Sequence, residues 1–462
     1  DVYKRQTRPH FTPRAKRVIF LFMKGGPSHV DTFEYKPKLQ QDDGKELPFK
    51  KPRVTFADTG KLLGSPWKFK PAGEMGIPVS ELFPNVAQCV DDICFINSMQ
   101  TAGASHFPEQ MRLHTGSDRL IRPTLGSWVL YGLGSENENL PGFITICPCY
   151  NFGNVTLLRG AFLPSAYQMV PIGRSNAISA PPSFRKATFR NTQNPDLSPD
   201  LQRKQLDFVA RMNRRQLELS GADAELEGRI ASFETAFRMQ AAAPPLLDFS
   251  GETRETLNLY GVDQSGKTEN YARQCLLARR LVERGVRFVE LYHAPNSNDS
   301  GWDQHNELAR YHSSHALEVD KPIAGLLTDL KRRGLLDETL VVWGGEFGRT
   351  SYCQGGLSKT NYGRDHHPRC FTIWMAGGGI KPGITYGRTD DYAYNIADPD
   401  GQPMDPQPSR EEWTPGSMHI HDLNATILHL AGIDHRRLTY RYQGRDFRLT
   451  DEHGHVLADL IA

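Results

Sequence analysis

The sequence lacks any long apolar run, because nowhere do about 18 apolar residues, the length that a transmembrane helix needs, follow one another. It also lacks an excess of one charge sign, since 55 Lys and Arg stand against 53 Asp and Glu. With a net charge of only +2 and no cluster of cations, the chain has no strong electrostatic basis for binding nucleic acid. These absences exclude a transmembrane helix in the sequence and disfavour a nucleic-acid partner.

Three common signatures of cofactor and nucleophile sites are also missing. The loop Gly25-Gly26-Pro27-Ser28 lacks the lysine of a phosphate-binding Walker loop, and no Gly-X-Gly-X-X-Gly follows a predicted strand. A Gly-X-Ser-X-Gly segment is absent as well. The sequence therefore disfavours nucleotide cofactors and a serine esterase of the α/β-hydrolase type.

Cysteine is scarce and scattered. The chain has seven cysteines, and Cys147-Pro148-Cys149 is too closely spaced for the usual two-residue zinc or redox knuckle. We expect mostly buried thiols. The sequence is also compatible with one or two disulfides, and because the number of cysteines is odd, at least one cysteine would stay unpaired.

What the sequence does contain is a series of short apolar, β-branched runs, each ended by glycine or by polar residues. They predict buried strands at Arg17–Met23, Ile93–Met99, Phe143–Cys147, Val286–Tyr292, Leu340–Trp343 and Phe371–Ala376. Amphipathic stretches predict helices at Glu269–Glu283, Glu307–Gly334 and Leu423–Gly432. Because helices and strands alternate, we predict an α/β fold with a mostly parallel sheet. A further helical stretch, Asp200–Met239, is interpreted as a structural insertion.

Polar side chains gather after several of these strands. Carboxyl ends of parallel strands meet at one edge of a sheet, where ligands bind. Carboxylates and imidazoles drawn from separate loops suit a Zn²⁺, Mn²⁺ or Ca²⁺ site in a hydrolase. Four clusters offer such ligands: Asp31 near Ser28 and His29; Ser105 with His106; Asp303 with His305; and Glu346 with Asp365, His366 and His367.

Each of these features has a plainer interpretation. An isolated Asp-X-His is more often a surface or core feature than a ligand pair, so the prediction depends on all four clusters following strands. Arg349 either forms a structural ion pair with Glu346 or steadies an oxyanion. Asp422, at the start of the last strong helix, is interpreted as a helix cap.

Longer segments of the chain resemble a known family. They include RVIFLFMKGGPSHVDTFEYKP, SHFPEQMRLHTG, GWDQHNEL, LLDETLVVWGGEFGRT, GRDHHP and HDLNATILHLAGIDHRRLTYRYQGRDFRLTD. Together they are similar to the domain-of-unknown-function 1501 (DUF1501) family of bacterial proteins, in the alkaline phosphatase and sulfatase superfamily. The resemblance implies one domain over residues 9–462, a three-layer α/β/α sandwich with a mostly parallel central sheet and a helical insertion at about 196–246. Residues 1–8 are expected to be a non-native or disordered start, with the natural amino terminus missing.

The resemblance also implies a metal site that hydrolyses sulfate or phosphate esters. Asp31 would match the first metal carboxylate, and Ser105 or His106 the position of the nucleophile. Asp303 and His305 would match a middle ligand pair, and His366 or His367 the late histidine ligand. The implied metal ligands are Asp31, Asp303, His305, Glu346, Asp365 and His366, and the implied catalytic residues are Ser105, His106 and Arg349.

The chain departs from the superfamily pattern in two places that matter for activity. The segment that sulfatases convert to formylglycine is absent around Ser105, and Phe347 occupies the place of a second-metal histidine. Because Phe347 replaces a ligand of the second metal, we expect one divalent metal ion. The resemblance implies a small anionic ester or a sulfated or phosphorylated glycan as substrate. The family also implies a periplasmic or extracellular location. The alternative is a non-catalytic binding or assembly protein at the cell surface that keeps the fold.

Overall fold

The strand at the centre of the fold is β1 (Arg17–Met23). Leu21 lies in one hydrophobic core, and its neighbours Phe20 and Phe22 lie in the other. Successive strand residues point to opposite faces, so an unbroken apolar run such as this one can be buried on both sides. The computed structural model describes residues 8–50, 58–148, 161–173, 196–221, 223–263, 267–293, 301–358, 360–404 and 416–462.

The remaining elements follow in chain order. The other strands are β2 (Thr59–Leu62), β3 (Phe69–Ala72), β4 (Ile77–Ser80), β5 (Ile93–Gln100), β6 (Phe143–Ile146), β7 (Val170–Ile172), β8 (Phe288–His293), β9 (Thr339–Gly344), β10 (Gly348–Gln354), β11 (Arg364–His367), β12 (Phe371–Ala376), β13 (Ile384–Tyr386), β14 (Met418–His419), β15 (Tyr440–Tyr442) and β16 (Arg445–Phe447). The helices are α1 (His29–Thr32), α2 (Pro37–Gln41), α3 (His106–Thr115), α4 (Leu125–Leu133), α5 (Pro199–Ser220), α6 (Ala224–Ala242), α7 (Pro244–Leu247), α8 (Arg254–Tyr260), α9 (Lys267–Glu283), α10 (Leu308–Arg332) and α11 (Ile420–Leu430).

The main sheet has the strand order β13-β5-β12-β9-β1-β8-β6-β7, and β14 also pairs with β5. Strand β1 runs parallel to both β8 and β9, and β6 runs parallel to β7 and β8. Among the described strands of this sheet, β12 alone is antiparallel to its neighbours. The carboxyl ends of β1, β5, β8 and β9 therefore lie at one edge.

Helices cover both faces of this sheet. One core packs residues of α9 and α10, such as Leu276 and Ile323, against the strands. The other packs residues of α3, α4 and α11, such as Leu113, Trp128 and Leu423. The predicted α/β class and the mostly parallel sheet with helices on either side are confirmed. Within the described ranges, no helix has the length and apolar character needed to cross a membrane.

The stretch predicted as a helical insertion contains α5, α6 and α7. Ser198 starts α5 because its Oγ accepts a hydrogen bond from the Leu201 amide at 3.3 Å. Asp223 starts α6 in the same way, accepting from the amides of Glu225 and Leu226 at 3.0 and 3.1 Å. Each of the two long helices thus begins at its own cap, and the ion pair of Arg203 with Glu234 joins them as a hairpin.

Several local predictions differ from the structure. The residues around Asp365, where no strand is predicted, form strand β11, which pairs with β10 in a small antiparallel sheet. The capping residue of α11 is His419, not Asp422; the Asp422 carboxylate instead accepts the His419 amide at 2.8 Å, three residues into the box. The described cysteines form no disulfide, whereas Cys149 and residues 1–7 lie outside the described ranges.

Candidate metal centre

Four chain segments meet at the carboxyl edge of the main sheet. Met23 of β1 lies opposite His293 of β8, and Phe22 lies opposite Gly344 of β9, so these strands end level with one another. The glycine loop after β1, Glu346 after β9 and Asp303 beyond β8 follow from these ends. Strand β5 ends at the same edge and leads to α3, which begins at His106.

The Asp303 carboxylate is the point on which three histidines converge. Its Oδ2 atom lies 3.1 Å from Nε2 of His106. Its Oδ1 atom lies 2.9 Å from Nε2 of His305 and 2.9 Å from Nε2 of His366. We call His106, Asp303, His305 and His366 the Asp303 cluster.

Each of these histidines is held from behind through its other ring nitrogen. Nδ1 of His106 lies 2.7 Å from Glu346 Oε1, and Nδ1 of His366 donates to the carbonyl of Ala104 at 2.7 Å. Nδ1 of His305 donates to the side-chain oxygen of Gln354. The Ala104 carbonyl and the Gln354 side-chain oxygen can only accept, so neutral His366 and His305 carry their proton on Nδ1 and direct the Nε2 lone pair at Asp303. His106 lies between two carboxylates, so either of its ring nitrogens can carry the proton.

This arrangement fits a metal cation. Lone pairs that face a carboxylate repel it unless a positive charge lies between them, and metal-binding histidines in proteins typically donate their second ring N–H to a carboxylate or carbonyl. The candidate ligand atoms of His106, Asp303 and His366 all lie within 4.8 Å of one another. An overlapping group comprises His305, Asp365 and His366. Since the two groups share His366, the donor set matches one ion more simply than two.

The ionisation of the cluster follows from burial and from its neighbours. Burial alone would raise the pKa of Asp303, but Arg349 and the three histidines outweigh it and hold that pKa well below its usual range. Burial, with Arg349 nearby, lowers the pKa of His366 to about 4, which keeps this imidazole neutral. Burial also disfavours the charged form of His106, but hydrogen bonds to Asp303 and Glu346 raise its pKa above the ordinary value. Without a metal, a proton on His106 can therefore supply the missing positive charge.

Arg349 is fixed in place by its own hydrogen bonds. Its guanidinium donates to the carbonyls of Gly25, of Gly26 at 3.0 Å and of Arg364 at 3.2 Å, and to Asp303 Oδ1 at 2.6 Å. The side chain is fully buried. The ion pair considered between Arg349 and Glu346 is replaced by one with Asp303, and the guanidinium orients that carboxylate.

Glu346 does not face Asp303 directly. Its carboxylate accepts from His106, from Gln110 Nε2 at 3.0 Å and from the Gly25 amide at 3.1 Å. Burial alone would raise its pKa, yet His106 and the other donors lower it, so the carboxylate is ionised. Its contacts place it behind His106, and it is absent from the groups of candidate ligand atoms.

Phe347 forms an apolar wall beside the cluster. Its ring centroid lies 4.9 Å from that of His106 and 4.5 Å from that of His366. The backbone of Phe347 also packs closely on the glycine loop, because a Cβ at Gly26 would come within 2.7 Å of the Phe347 carbonyl. Gly26 has φ of +78°, so both its conformation and its close contact require glycine.

Asp31 lies outside the Asp303 cluster, although the sequence placed it among the metal ligands. Arg364 binds both of its carboxylate oxygens, Nε to Oδ2 at 2.7 Å and Nη2 to Oδ1 at 3.0 Å, and Ser28 Oγ donates to Oδ2 at 2.5 Å. Both partners of this ion pair are fully buried. The oxygens of Asp31 are thus already occupied in a two-point interaction that leaves little room for a cation.

The other expected residues lie at the margin. Ser105 is exposed at the position before α3, and its side chain makes no capping hydrogen bond. Asp365 accepts the His366 amide at 2.8 Å and lies 3.9 Å from His305. Asp365 therefore borders the cluster, while Ser105 adjoins it through its neighbour His106.

Sequence reasoning missed the residues that hold the histidines. Gln110 shares a helix face with His106, since four residues make about one turn, so this spacing was an available signal. Gln354 and the Ala104 carbonyl reach the cluster only through the folding of β10 and of the loop before α3. No pattern in the sequence indicates those two contacts.

A second group of histidines and a carboxylate lies nearby and differs in one respect. Ligand atoms of His293, His315 and Glu318, which we call the Glu318 cluster, also lie within 4.8 Å of one another. His293 Nε2 is 3.1 Å from Glu318 Oε2, but its Nδ1 accepts a hydrogen bond from Trp302 Nε1 at 3.0 Å. The proton of neutral His293 is therefore on Nε2, the atom that faces Glu318.

Comparisons with known proteins give a family and a set of distant structural similarities. The family described as "Protein of unknown function (DUF1501)" matches residues 15–461. No curated protein matches the chain. A sulfatase from Pseudoalteromonas sp. is 12% identical at a TM-score of 0.41, with 99% of this chain and 73% of that chain covered.

Two further structures are similar at lower scores. The lipoteichoic acid synthase from Listeria monocytogenes is 8% identical at a TM-score of 0.37, with 95% of this chain and 76% of that chain covered. The alkaline phosphatase from the Antarctic bacterium TAB5 is 11% identical at a TM-score of 0.32, with 81% of this chain and 94% of that chain covered.

Proposed function

The chain belongs to the DUF1501 family, and we propose that it is a metal-dependent hydrolase of sulfate or phosphate esters. The observation that supports this most is the direction of the histidine hydrogen bonds in the Asp303 cluster. The Nε2 lone pairs of His305 and His366 point at one ionised carboxylate because an acceptor holds each Nδ1 proton, and Nε2 of His106 faces the same carboxylate at 3.1 Å. Such a set of donors is suited to a cation and to little else.

The residues that would hold the ion are Asp303, His106 and His366, with His305 and Asp365 beside them. Imidazole with carboxylate oxygen matches Zn²⁺ or Mn²⁺ better than Ca²⁺, which prefers an all-oxygen set. When bound, such an ion supplies positive charge that polarises an ester oxygen and lowers the pKa of water. We propose one ion, because the two candidate groups share His366.

The chain's own residues prepare this site. Arg349 and the Asp303 carboxylate form a fixed pair, so Arg349 acts as a positioning residue rather than as a free clamp for the substrate. Glu346 holds the His106 ring through Nδ1 at 2.7 Å, and Gln110 orients Glu346. Phe347 excludes water from one side of the imidazoles.

Ser105 is our candidate for the group that attacks the ester or orients water. It is exposed next to His106 and stands at the amino-terminal end of α3. Backbone amides and the dipole of a helix amino terminus favour an anionic group, as a sulfate or phosphate ester would present there. We further propose a small anionic or sugar ester as substrate and a site of action outside the cytoplasm.

The test combines metal analysis with hydrolysis. Purified protein is expected to contain about one equivalent of divalent metal by mass spectrometry, and to cleave aryl sulfate or aryl phosphate only when loaded. Ser105→Ala is expected to retain the metal and lose cleavage. Folded protein that takes up no Zn²⁺ or Mn²⁺ at micromolar concentration would refute the metal centre.

A second candidate function is that of a metal-containing binding protein without turnover. Phe347 favours it, because this apolar ring packs on His106 and His366 where a further ligand is expected from the superfamily. Under this alternative the protein binds one metal ion and a sulfated or phosphorylated ligand without cleaving it. Metal-loaded protein that binds an ester and shows no cleavage over a broad panel would favour this function.

A further inference from the structure

Helix α5 exposes a line of large apolar side chains to solvent. Leu201, Phe208, Met212 and Leu219 are 52%, 56%, 56% and 77% exposed. We call these four residues the α5 stripe. Exposed apolar residues scattered singly need no explanation, but four on one helix face are a candidate contact surface.

The stripe is straight and runs along the helix axis. The spacings of seven, four and seven residues add up to 18 residues, which is five turns at about 3.6 residues per turn. All four side chains therefore point in one direction to within about 20° over a length of about 27 Å. The stripe differs in this from the seam of a coiled coil, which repeats every 3.5 residues and therefore drifts by about 20° per heptad on a straight helix.

The stripe is not the face through which α5 joins the rest of the molecule. Ala210, on the opposite side of the helix, is buried, and Leu206 and Leu217 beside it are half-buried. On that same side, Arg203 forms a two-point ion pair with Glu234 of α6, at 2.8 and 2.6 Å. The helix hairpin is held together without the stripe.

One edge of the stripe is cationic. Lys204, Arg211 and Arg215 are exposed and lie about 40–80° from the stripe, all on the same side. None of these three has an acidic partner among the residues that the structure describes. The other edge contains the neutral Gln205, so the charged residues of α5 within about 80° of the stripe are all cations. The exposed acids of this helix, Asp200, Asp207 and Glu218, lie farther round, about 100–120° from the stripe.

These features together select the partner. A second copy packed antiparallel on the stripe would bring cationic edge against cationic edge, which is unfavourable. A straight apolar line with cations along it instead matches a flat anionic surface, in which apolar side chains enter the acyl region and Lys and Arg reach the phosphates. We propose that the α5 stripe and its cationic edge dock this protein on an anionic lipid surface.

The test uses the full chain and vesicles of two compositions. Wild-type protein is expected to co-sediment with vesicles of phosphatidylglycerol and phosphatidylcholine but not with phosphatidylcholine alone, and to be released by about 0.5 M salt, where screening is strong. The triple variant Lys204→Gln, Arg211→Gln, Arg215→Gln is expected to bind about a hundredfold more weakly, because each cation near an anionic bilayer contributes about a fivefold effect.

Matched variants separate the stripe from general exposure of apolar residues. Phe208→Glu with Met212→Glu is expected to abolish binding. Leu317→Glu, at a residue of α10 that is 63% exposed, is expected to bind as the wild type does. Equal binding to both vesicle types, unchanged binding of the Phe208 and Met212 variant, or absence of vesicle binding would each overturn the proposal. Concentration-dependent dimers that the Phe208 and Met212 variant loses, without vesicle binding, would assign the stripe to a second copy instead.

Discussion

The Asp303 cluster and the Glu318 cluster bring similar groups equally close, yet they differ in which way their histidines are turned. In the Asp303 cluster, His366 donates its Nδ1 proton to a backbone carbonyl and aims a lone pair at the carboxylate. In the Glu318 cluster, His293 accepts from Trp302 and aims a proton at the carboxylate. The His366 lone pair and the Asp303 carboxylate need a cation between them, whereas the His293 N–H already donates to the Glu318 carboxylate.

The comparison shows that closeness of histidine and carboxylate does not define a metal site. Both clusters satisfy the same distance criterion of 4.8 Å. What separates them is the partner of the remote ring nitrogen, which fixes the tautomer and therefore the charge pattern at the centre. Mutation, metal analysis and the histidine tautomers of the metal-free protein can each test this difference.

The largest expected effect is the loss of metal on replacing Asp303. Asp303→Ala removes the only carboxylate on which His106, His305 and His366 converge, so we expect the bound metal to fall below one-tenth of an equivalent. Glu318→Ala, in the other cluster, is expected to keep the full equivalent. Mass spectrometry of the folded proteins after dialysis against buffer with trace Zn²⁺ measures both. Equal metal loss in the two variants would remove the distinction between the clusters.

Asp31 provides a second contrast, between a carboxylate at the centre and one bound by arginine. Removing one partner of a buried ion pair leaves the other charge uncompensated, so Asp31→Ala is expected to lower the free energy of unfolding by about 3–5 kcal/mol. The metal content of the molecules that remain folded is expected to be unchanged. Chemical denaturation and metal analysis of the same sample decide the matter. Loss of metal with little loss of stability would instead make Asp31 a ligand.

A smaller effect is expected from the residue behind His106. Glu346→Gln retains an acceptor for His106 but removes the negative charge, and changes of this kind beside a metal ligand typically weaken metal affinity by about 10–100-fold. Competition with a fluorescent Zn²⁺ chelator measures the shift. Glu318→Gln is the matched control and should leave the affinity as it is. An unchanged affinity in Glu346→Gln would show that the carboxylate does not tune the site.

A weaker effect still is expected from a third buried pair, His114 and Glu290. His114 Nε2 lies 2.6 Å from Glu290 Oε1. Burial alone would lower the pKa of His114, but Glu290 raises it above the ordinary value. Because the pKa of His114 is higher in the folded than in the unfolded protein, the pair of charged His114 with Glu290 stabilises the fold fully below about pH 6.5. This stabilisation is lost as the pH rises through the folded pKa.

The difference in unfolding free energy between wild type and His114→Gln should therefore shrink from pH 6 towards pH 9. Urea denaturation of the two proteins at several pH values measures this difference. A difference that is constant over the range would show that the pair does not titrate as an ion pair.

The sheet was predictable because the sequences of its strands have a distinctive apolar pattern. A run such as Arg17–Met23 is apolar on both faces, and only a strand buried between two layers of helices accommodates it. The common edge of the polar clusters then follows from the parallel direction of the strands. Asp303, His305 and His366 do lie together in the structure.

The roles within the site were not predictable in the same way. Asp31 and Asp303 both follow strands, and nothing local reveals that Arg364, more than 300 residues along the chain from Asp31, occupies one of them. Nothing local reveals either that His106, predicted as a catalytic residue, contacts both Asp303 and Glu346. Such roles depend on long-range hydrogen bonds, which a single sequence does not encode as a pattern.

The smallest perturbation tests the comparison most directly, because it changes no residue. In metal-free protein labelled with ¹⁵N-histidine, His366 is expected to carry its ring proton on Nδ1 and His293 on Nε2, as their acceptor and donor partners require. Long-range ¹H–¹⁵N correlation spectra distinguish the two tautomers, and His366→Gln and His293→Gln assign the signals. Added Zn²⁺ should then shift the His366 resonances and leave those of His293 in place. The same tautomer in both residues would mean that the hydrogen-bond direction does not separate the two clusters.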